Sequence, residues 1–150
     1  MIRELYPALR RYAAVVHPFD MDPDDLLQEA ICRVLRRGAL SEIPYPMAYL
    51  RRAMTNLASN HNRSQGRRRT ALRRLRPDEA TMPHYPSDVE YLMDLKPDAR
   101  AILFMRAIEG RPFAEIAEVL GITDTAARAI DSRARRSLRD TLLEERHETA

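Results

Sequence analysis

Hydrophobic positions recur along this chain at helical spacing, and no segment alternates as a half-buried strand would. Leu5, Leu9, Tyr12, Ala13 and Val16 share one stripe and predict a helix from about Tyr6 to Val16, with Pro7 in its first turn and His17-Pro18 ending it. Asp22-Pro23 supplies an N-cap and a first-turn proline, and Asp24 and Asp25 suit the positive end of the helix dipole. This second helix should reach about Arg37 and stop at Gly38. Leu26, Leu27, Ala30, Ile31, Val34 and Leu35 face inward; Asp25, Gln28, Glu29, Cys32, Arg33 and Arg36 face out. After a loop from Ala39 to Tyr45, Pro46 opens a third helix with Leu50, Ala53, Met54, Leu57, Ala58 and His61 inward. Its outward stripe, Arg52, Asn56, Ser59, Asn60 and Arg63, is polar and runs straight into an arginine-rich segment.

Pro77, Pro83 and Pro86 then interrupt a stretch with little periodicity, which predicts a linker at 77–87 between one domain at 1–76 and another at 88–150. Ser87-x-x-Glu90 has the capping-box pattern, Val89, Leu92, Met93 and Leu95 supply an apolar side, and Pro97 to Ile108 predicts the next helix. Glu109-Gly110-Arg111-Pro112 turns the chain. Ile116, Ala117 and Leu120 then form one short helix, Gly121 ends it, and Ala127, Ile130, Ala134 and Leu138 mark a second, with Thr123 or Asp124 as its cap. The pattern is a helix-turn-helix, a unit that offers its second helix to a DNA major groove. Arg128, Arg133, Arg135, Arg136 and Arg139 would make the solvent side of that helix cationic.

Composition narrows the picture. The 150 residues are 45% hydrophobic and rich in Leu, Ala, Arg and Glu, enough for packed cores and pointing to an all-α fold of two small helical domains. No apolar run has the length of a membrane span or the pattern of a signal peptide, so the cytoplasm is the expected compartment. Cys32 is the only cysteine, which excludes an internal disulfide and suits a packed thiol. The histidines (His17, His61, His84 and His147) lack ligand spacing, and no nucleophile-base pair or phosphate loop appears. Neither a metal, a cofactor nor an enzyme activity is expected. The net charge of +3 hides an asymmetry: seven arginines and no acid lie between residues 63 and 76, while the remainder is net acidic. Such a run either binds a polyanion or is merely solvated.

Both halves carry motifs that resemble bacterial RNA polymerase sigma factors of the extracytoplasmic-function (ECF) group. Asp24-Asp25-Leu26-Leu27-Gln28-Glu29 looks like the DLxQE signature of sigma region 2, and Tyr49 to Ala58 looks like the WLxxIARNLA segment. Leu95-Lys96-Pro97-x-x-Arg100 resembles the start of region 4, and Glu115 to Ile122 is close to that region's consensus. The resemblance implies partners: core RNA polymerase, through its β′ clamp helices and β flap, promoter DNA, and in some members an anti-sigma protein. It assigns clamp binding to Asp25, Gln28, Glu29 and Arg33. The loop from Gly38 to Pro46, with Asn56, Asn60, His61 and Arg63, would bind the minus-ten element, and Arg67, Arg68 and Arg69 its phosphates. Tyr45 or Tyr49 could stack on a flipped base; for Tyr49 and His61, packing is the competing reading. Thr125, Arg128, Ser132, Arg133, Arg135 and Arg136 would face the minus-thirty-five element, with phosphate contact the safer assignment for the arginines.

The chain departs from the family pattern in particular places. Ile130 stands where a basic residue is common and Asp131 where an apolar one is; Ser59, Asn60 and Asn62 make the end of the third helix more polar, and tryptophan is absent. Two other readings therefore stay open: a sigma mimic that binds an antagonist or polymerase without reading promoters, and a stand-alone helix-turn-helix regulator. The arginine run speaks against the first and the Gln28-Glu29 face against the second.

Overall fold

In the computed structural model, residues 2–73 and 92–148 are described, with backbone alone at 65–73 and 148; the proposed linker, the Ser87-x-x-Glu90 box, Arg74, Arg76 and His84 lie outside the described residues. Six α-helices make up the described part: α1 (Ile2–Val16), α2 (Pro23–Arg37), α3 (Pro46–Arg73), α4 (Pro97–Leu103), α5 (Phe113–Leu120) and α6 (Asp124–Glu148). A 3-10 turn at Leu40–Glu42 bridges α2 to α3, and a π-helical turn at Phe104–Ile108 continues α4. The fold is all-α. No helix among the described residues is long and apolar enough to cross a membrane.

Local chemistry accounts for most of the boundaries. Asp22 caps α2 by accepting a hydrogen bond from the Asp24 amide at 2.8 Å, with Pro23 behind it. Helix α1 starts at Ile2, four residues before the expected Tyr6, so Pro7 sits inside it. Proline's fixed φ is helical, and near a helix start the missing N–H removes a single bond. Thr123 Oγ1 caps α6 through the Ala126 amide at 3.0 Å. Gly121 ends α5 in the left-handed region (φ 69°), where the Ile122 amide reaches the Ala117 carbonyl and the Gly121 amide that of Glu118, a Schellman closure.

The first three helices bury the expected stripes: Leu9, Tyr12, Ala13 and Val16 on α1, Leu26, Leu27, Ala30, Ile31 and Val34 on α2, and Leu50, Met54 and Ala58 on α3. Leu35 is a correction. It is 49% exposed, whereas its neighbour Val34 is 1% exposed, so the buried stripe of α2 ends at Val34. Cys32, expected to pack, is also exposed. Position 32 lies on the same outward face as Gln28 and Arg36, so the thiol follows the polar side of the helix.

One hydrophobic cluster joins the two ends of the chain. Ala101, Ile102, Met105, Ile116, Val119 and Leu120 share a core with the residues of α1 to α3. Charged groups cross the same seam. The buried Arg100 guanidinium donates from Nη1 to the Val15 and His17 carbonyls (3.0 and 2.9 Å) and from Nε to the Leu95 carbonyl (3.2 Å), placing a cation at the negative end of α1. Burial, with no carboxylate paired to it among the described residues, lowers the Arg100 pKa to about 10. Arg51 on α3 donates from both terminal nitrogens to Glu109 (2.6 and 2.9 Å) and lies over the Tyr12 ring at 4.8 Å. Tyr12 donates to Thr55 Oγ1 at 2.7 Å, and Thr55 in turn donates to the Arg51 carbonyl. Burial pushes the Tyr12 hydroxyl up to about 12.

Candidate nucleic-acid and polymerase interface

Three surfaces carry the residues singled out by sequence. On α2, Asp25, Gln28, Glu29 and Arg33 are all exposed on one outward face, with Arg33 Nε paired to Glu29 at 3.2 Å. The amphipathic spacing of α2 dictates this: once Leu26, Leu27, Ala30, Ile31 and Val34 face inward, positions 25, 28, 29 and 33 must point to solvent. The exposed Leu35 adds an apolar spot to the last turn of the same helix, a feature that periodicity alone had turned inward.

Helices α2 and α3 enclose a groove of about 440 Å³ lined by Arg33, Arg37, Tyr49, Arg52, Asn56 and Asn60, among others. It brings Arg33 from the proposed polymerase-binding set together with Asn56 and Asn60 from the minus-ten set. Arg63 donates to Asn60 Oδ1 at 3.1 Å and so stays on the same rim. His61 instead turns back to Asp20 at 3.0 Å, half-covered, and ties α3 to the loop between α1 and α2. The Tyr49 ring packs partly on the core while its hydroxyl accepts from Arg37 at 3.2 Å. Tyr45 is 78% exposed at the head of α3, pinned by its carbonyl to the Tyr49 amide, with its ring open to a stacking partner. Arg67, Arg68 and Arg69 fall on the helical backbone of α3; their side chains lie outside the described residues.

On α6, Thr125, Arg128, Ser132, Arg133, Arg135 and Arg136 are all exposed, while Ala127, Asp131 and Ala134 are buried behind them. Arg128 Nε pairs with Asp124 at 3.1 Å and its guanidinium lies over the Phe113 ring at 4.9 Å. Arg135 Nε pairs with Asp131 at 2.9 Å. Arg52, which the sequence places on the outward polar stripe of α3, reaches across to the turn of the helix-turn-helix: a Cβ on Gly121 would land on its guanidinium. Sequence reasoning also missed Arg51 and Thr55. Both are buried on a flank of α3 that helical periodicity marks as polar, Arg51 against Glu109 of the second half and Thr55 against Tyr12 of α1.

Residues 89–138 match the family Sigma-70, region 4. The C-terminal part of this chain is therefore similar to sigma-70 region 4. The sigma factor RpoE of Bartonella quintana, solved in complex with the anti-sigma factor NepR, has a similar structure, with 19% identity, 94% of this chain and 93% of that chain covered, and a TM-score of 0.62. The chain thus shares the fold of that structure from α1 to α6. A comparison with curated protein sequences gives no match. In region 4 terms, α5 and α6 are the helix-turn-helix and the exposed arginine stripe lies on its second helix.

Proposed function

We propose that this chain is an ECF-type sigma factor that binds core RNA polymerase and directs promoter recognition and opening. One observation carries the reading: a region 4 helix-turn-helix with its arginine face exposed stands on a sigma-factor fold that spans nearly the whole chain. Asp25, Gln28, Glu29 and Arg33 engage the polymerase clamp. Asn56, Asn60, Arg63 and Arg67 to Arg69 hold the melted minus-ten strand along the groove between α2 and α3, with Tyr45 as the stacking platform. His61 acts there by fixing α3 through Asp20 rather than by touching a base. Thr125, Arg128, Ser132, Arg133, Arg135 and Arg136 face the minus-thirty-five major groove. The domain division at 77–87 belongs to the same reading. Catalysis rests with the polymerase, the chain works in the cytoplasm beside it, and an anti-sigma protein is a candidate partner, as in the similar RpoE complex.

A second reading, a sigma mimic that occupies a partner without reading promoters, is favoured by the core shared between the two halves, which makes a closed body. Multi-round transcription with purified core polymerase, this protein and a genomic fragment library separates the two. Discrete starts that share two upstream motifs support the sigma factor. Stable binding to core without any start refutes it and leaves the mimic.

A further inference from the structure

The arginines of α6 are not equivalent. Arg133, Arg136 and Arg139 make no ion pair among the described residues, so their guanidinium groups are held only by their own torsions. Arg128 is paired, but with the exposed Asp124, where solvent screens the attraction. Arg135 differs because its partner is built into the fold. Asp131 is 7% exposed, behind the solvent face of α6 with Ala127 and Ala134, and its Oδ2 holds Arg135 Nε at 2.9 Å.

That buried carboxylate has no stabilising rationale. Its Oδ1 is buried with no donor among the described residues, and Asp131 receives only the single bond from Arg135. A buried carboxylate so sparsely bonded is destabilising relative to an apolar side chain of similar volume. Its effect is on Arg135. With Nε engaged, the planar guanidinium loses rotation about its stem, and Nη1 and Nη2 remain as a fork at the far end of a half-exposed side chain. A fork of two donors fits the O6 and N7 acceptors of guanine in the major groove.

We propose that Asp131 is a positioning residue for base reading, which aims Arg135 at a guanine of the minus-thirty-five duplex while Arg133 and Arg136 hold phosphates. The inference rests on the region 4 reading given above. Arg135 thereby contributes sequence preference, and the neighbouring arginines contribute affinity.

The test uses holoenzyme reconstituted from the full chain and core polymerase, selecting from a duplex library randomised over the upstream element. Wild-type holoenzyme should enrich guanine at one position by about five- to a hundredfold, the range expected of a bidentate arginine contact. Asp131→Leu and Arg135→Ala should each lose that enrichment at that position alone, and the double variant should be no worse than Arg135→Ala. Asp131→Asn, which keeps an acceptor toward Nε, should retain most of it. Asp131→Leu should also melt at the wild-type temperature or above, which a merely structural role would not allow. If that variant fails to fold, Arg135→Lys carries the test, because it keeps the charge and Asp131 but lacks the fork: lost guanine enrichment supports the proposal, and unchanged enrichment overturns it. Retained enrichment in Asp131→Leu, or an equal loss on every sequence with a smaller salt slope, overturns the proposal and makes Arg135 a phosphate contact. A wild-type holoenzyme that binds the library without any preference overturns the region 4 reading itself, and the proposal with it.

Discussion

The Arg51 to Glu109 pair is the contact through which the closed arrangement of the two halves can best be tested. The Arg51 side chain is 4% exposed and that of Glu109 22%, and the pair is bidentate. Glu109→Ala would leave a buried guanidinium without its carboxylate. Removing one partner of a fully buried pair costs about 3–5 kcal/mol; because Glu109 retains some solvent and also accepts from Arg111 Nε at 3.0 Å, about 2–3 kcal/mol is the better figure here. That shifts the balance between closed and open forms by about thirty- to a hundred-and-fiftyfold. Paired spin labels at the exposed Cys32 and at Glu144→Cys on α6 would read it as a distance distribution. Glu109→Ala should move weight to longer distances, and Arg51→Met with Glu109→Gln should restore the short one, because no unpaired charge then remains. An unchanged distribution in Glu109→Ala would refute the reasoning and leave the apolar seam as the whole of the closure.

The same pair sets a pH dependence. Hydrogen bonds from Arg51, ahead of the opposing effect of burial, hold the Glu109 carboxyl below its ordinary range. A carboxyl with a depressed folded pKa contributes stability that is present above its unfolded value and lost as pH falls through the folded one. The short distance should therefore persist at neutral pH and weaken only at acid pH. Glu109→Gln should flatten that acid limb.

Three other outcomes follow from single surfaces. Gly121→Ala should lower stability by about 1–2 kcal/mol from the left-handed backbone alone, and also expel Arg52 from the turn, seen as a lower melting temperature together with a longer label distance. Gln28→Ala with Glu29→Ala should weaken binding to core polymerase by at least several-fold while leaving the melting temperature unchanged, and Leu35→Asp should do the same; fluorescence anisotropy with labelled protein measures both, and unchanged affinity would remove α2 from the polymerase interface. Replacing Arg67, Arg68 and Arg69 by Ala should reduce the slope of log affinity for single-stranded DNA against log salt by about 0.7 per lost phosphate contact, and an unaltered slope would mean that these arginines are only solvated.

Much of this molecule is readable from periodicity and caps. Asp22-Pro23, Thr123 and Gly121 set helix ends by short-range chemistry, and the stripes of α1 to α3 face the core as their spacing requires, with Leu5, Ala53, Leu57 and His61 half-buried and Leu35 exposed. What was not readable comes from contacts between distant segments. Arg51 and Thr55 sit on a flank of α3 that looks polar in sequence because their partners are distant: Glu109 lies 58 residues from Arg51, and Tyr12 lies 43 residues from Thr55. Arg100 looks like a surface residue until the Val15 and His17 carbonyls are brought to it. Periodicity reports which face of a helix is apolar. It does not report that a second, charged face is also covered.

Those charged contacts bear on the proposed function. Elements named for positions minus ten and minus thirty-five lie about 25 base pairs apart, or about 85 Å at 3.4 Å per base pair. A compact domain of 150 residues has a radius of gyration of about 15 Å, so α3 and α6 cannot reach both elements while the halves share one core. A seam of apolar side chains alone would be costly to open, because each side chain exposed to water loses its full burial energy. Arg51, Arg100 and Glu109 change that balance: once the halves part, their charged groups regain hydration, which offsets part of the lost apolar contact. On the proposed function, such a seam would keep the free protein closed and would let a partner with a few kcal/mol of differential affinity for the open form separate it.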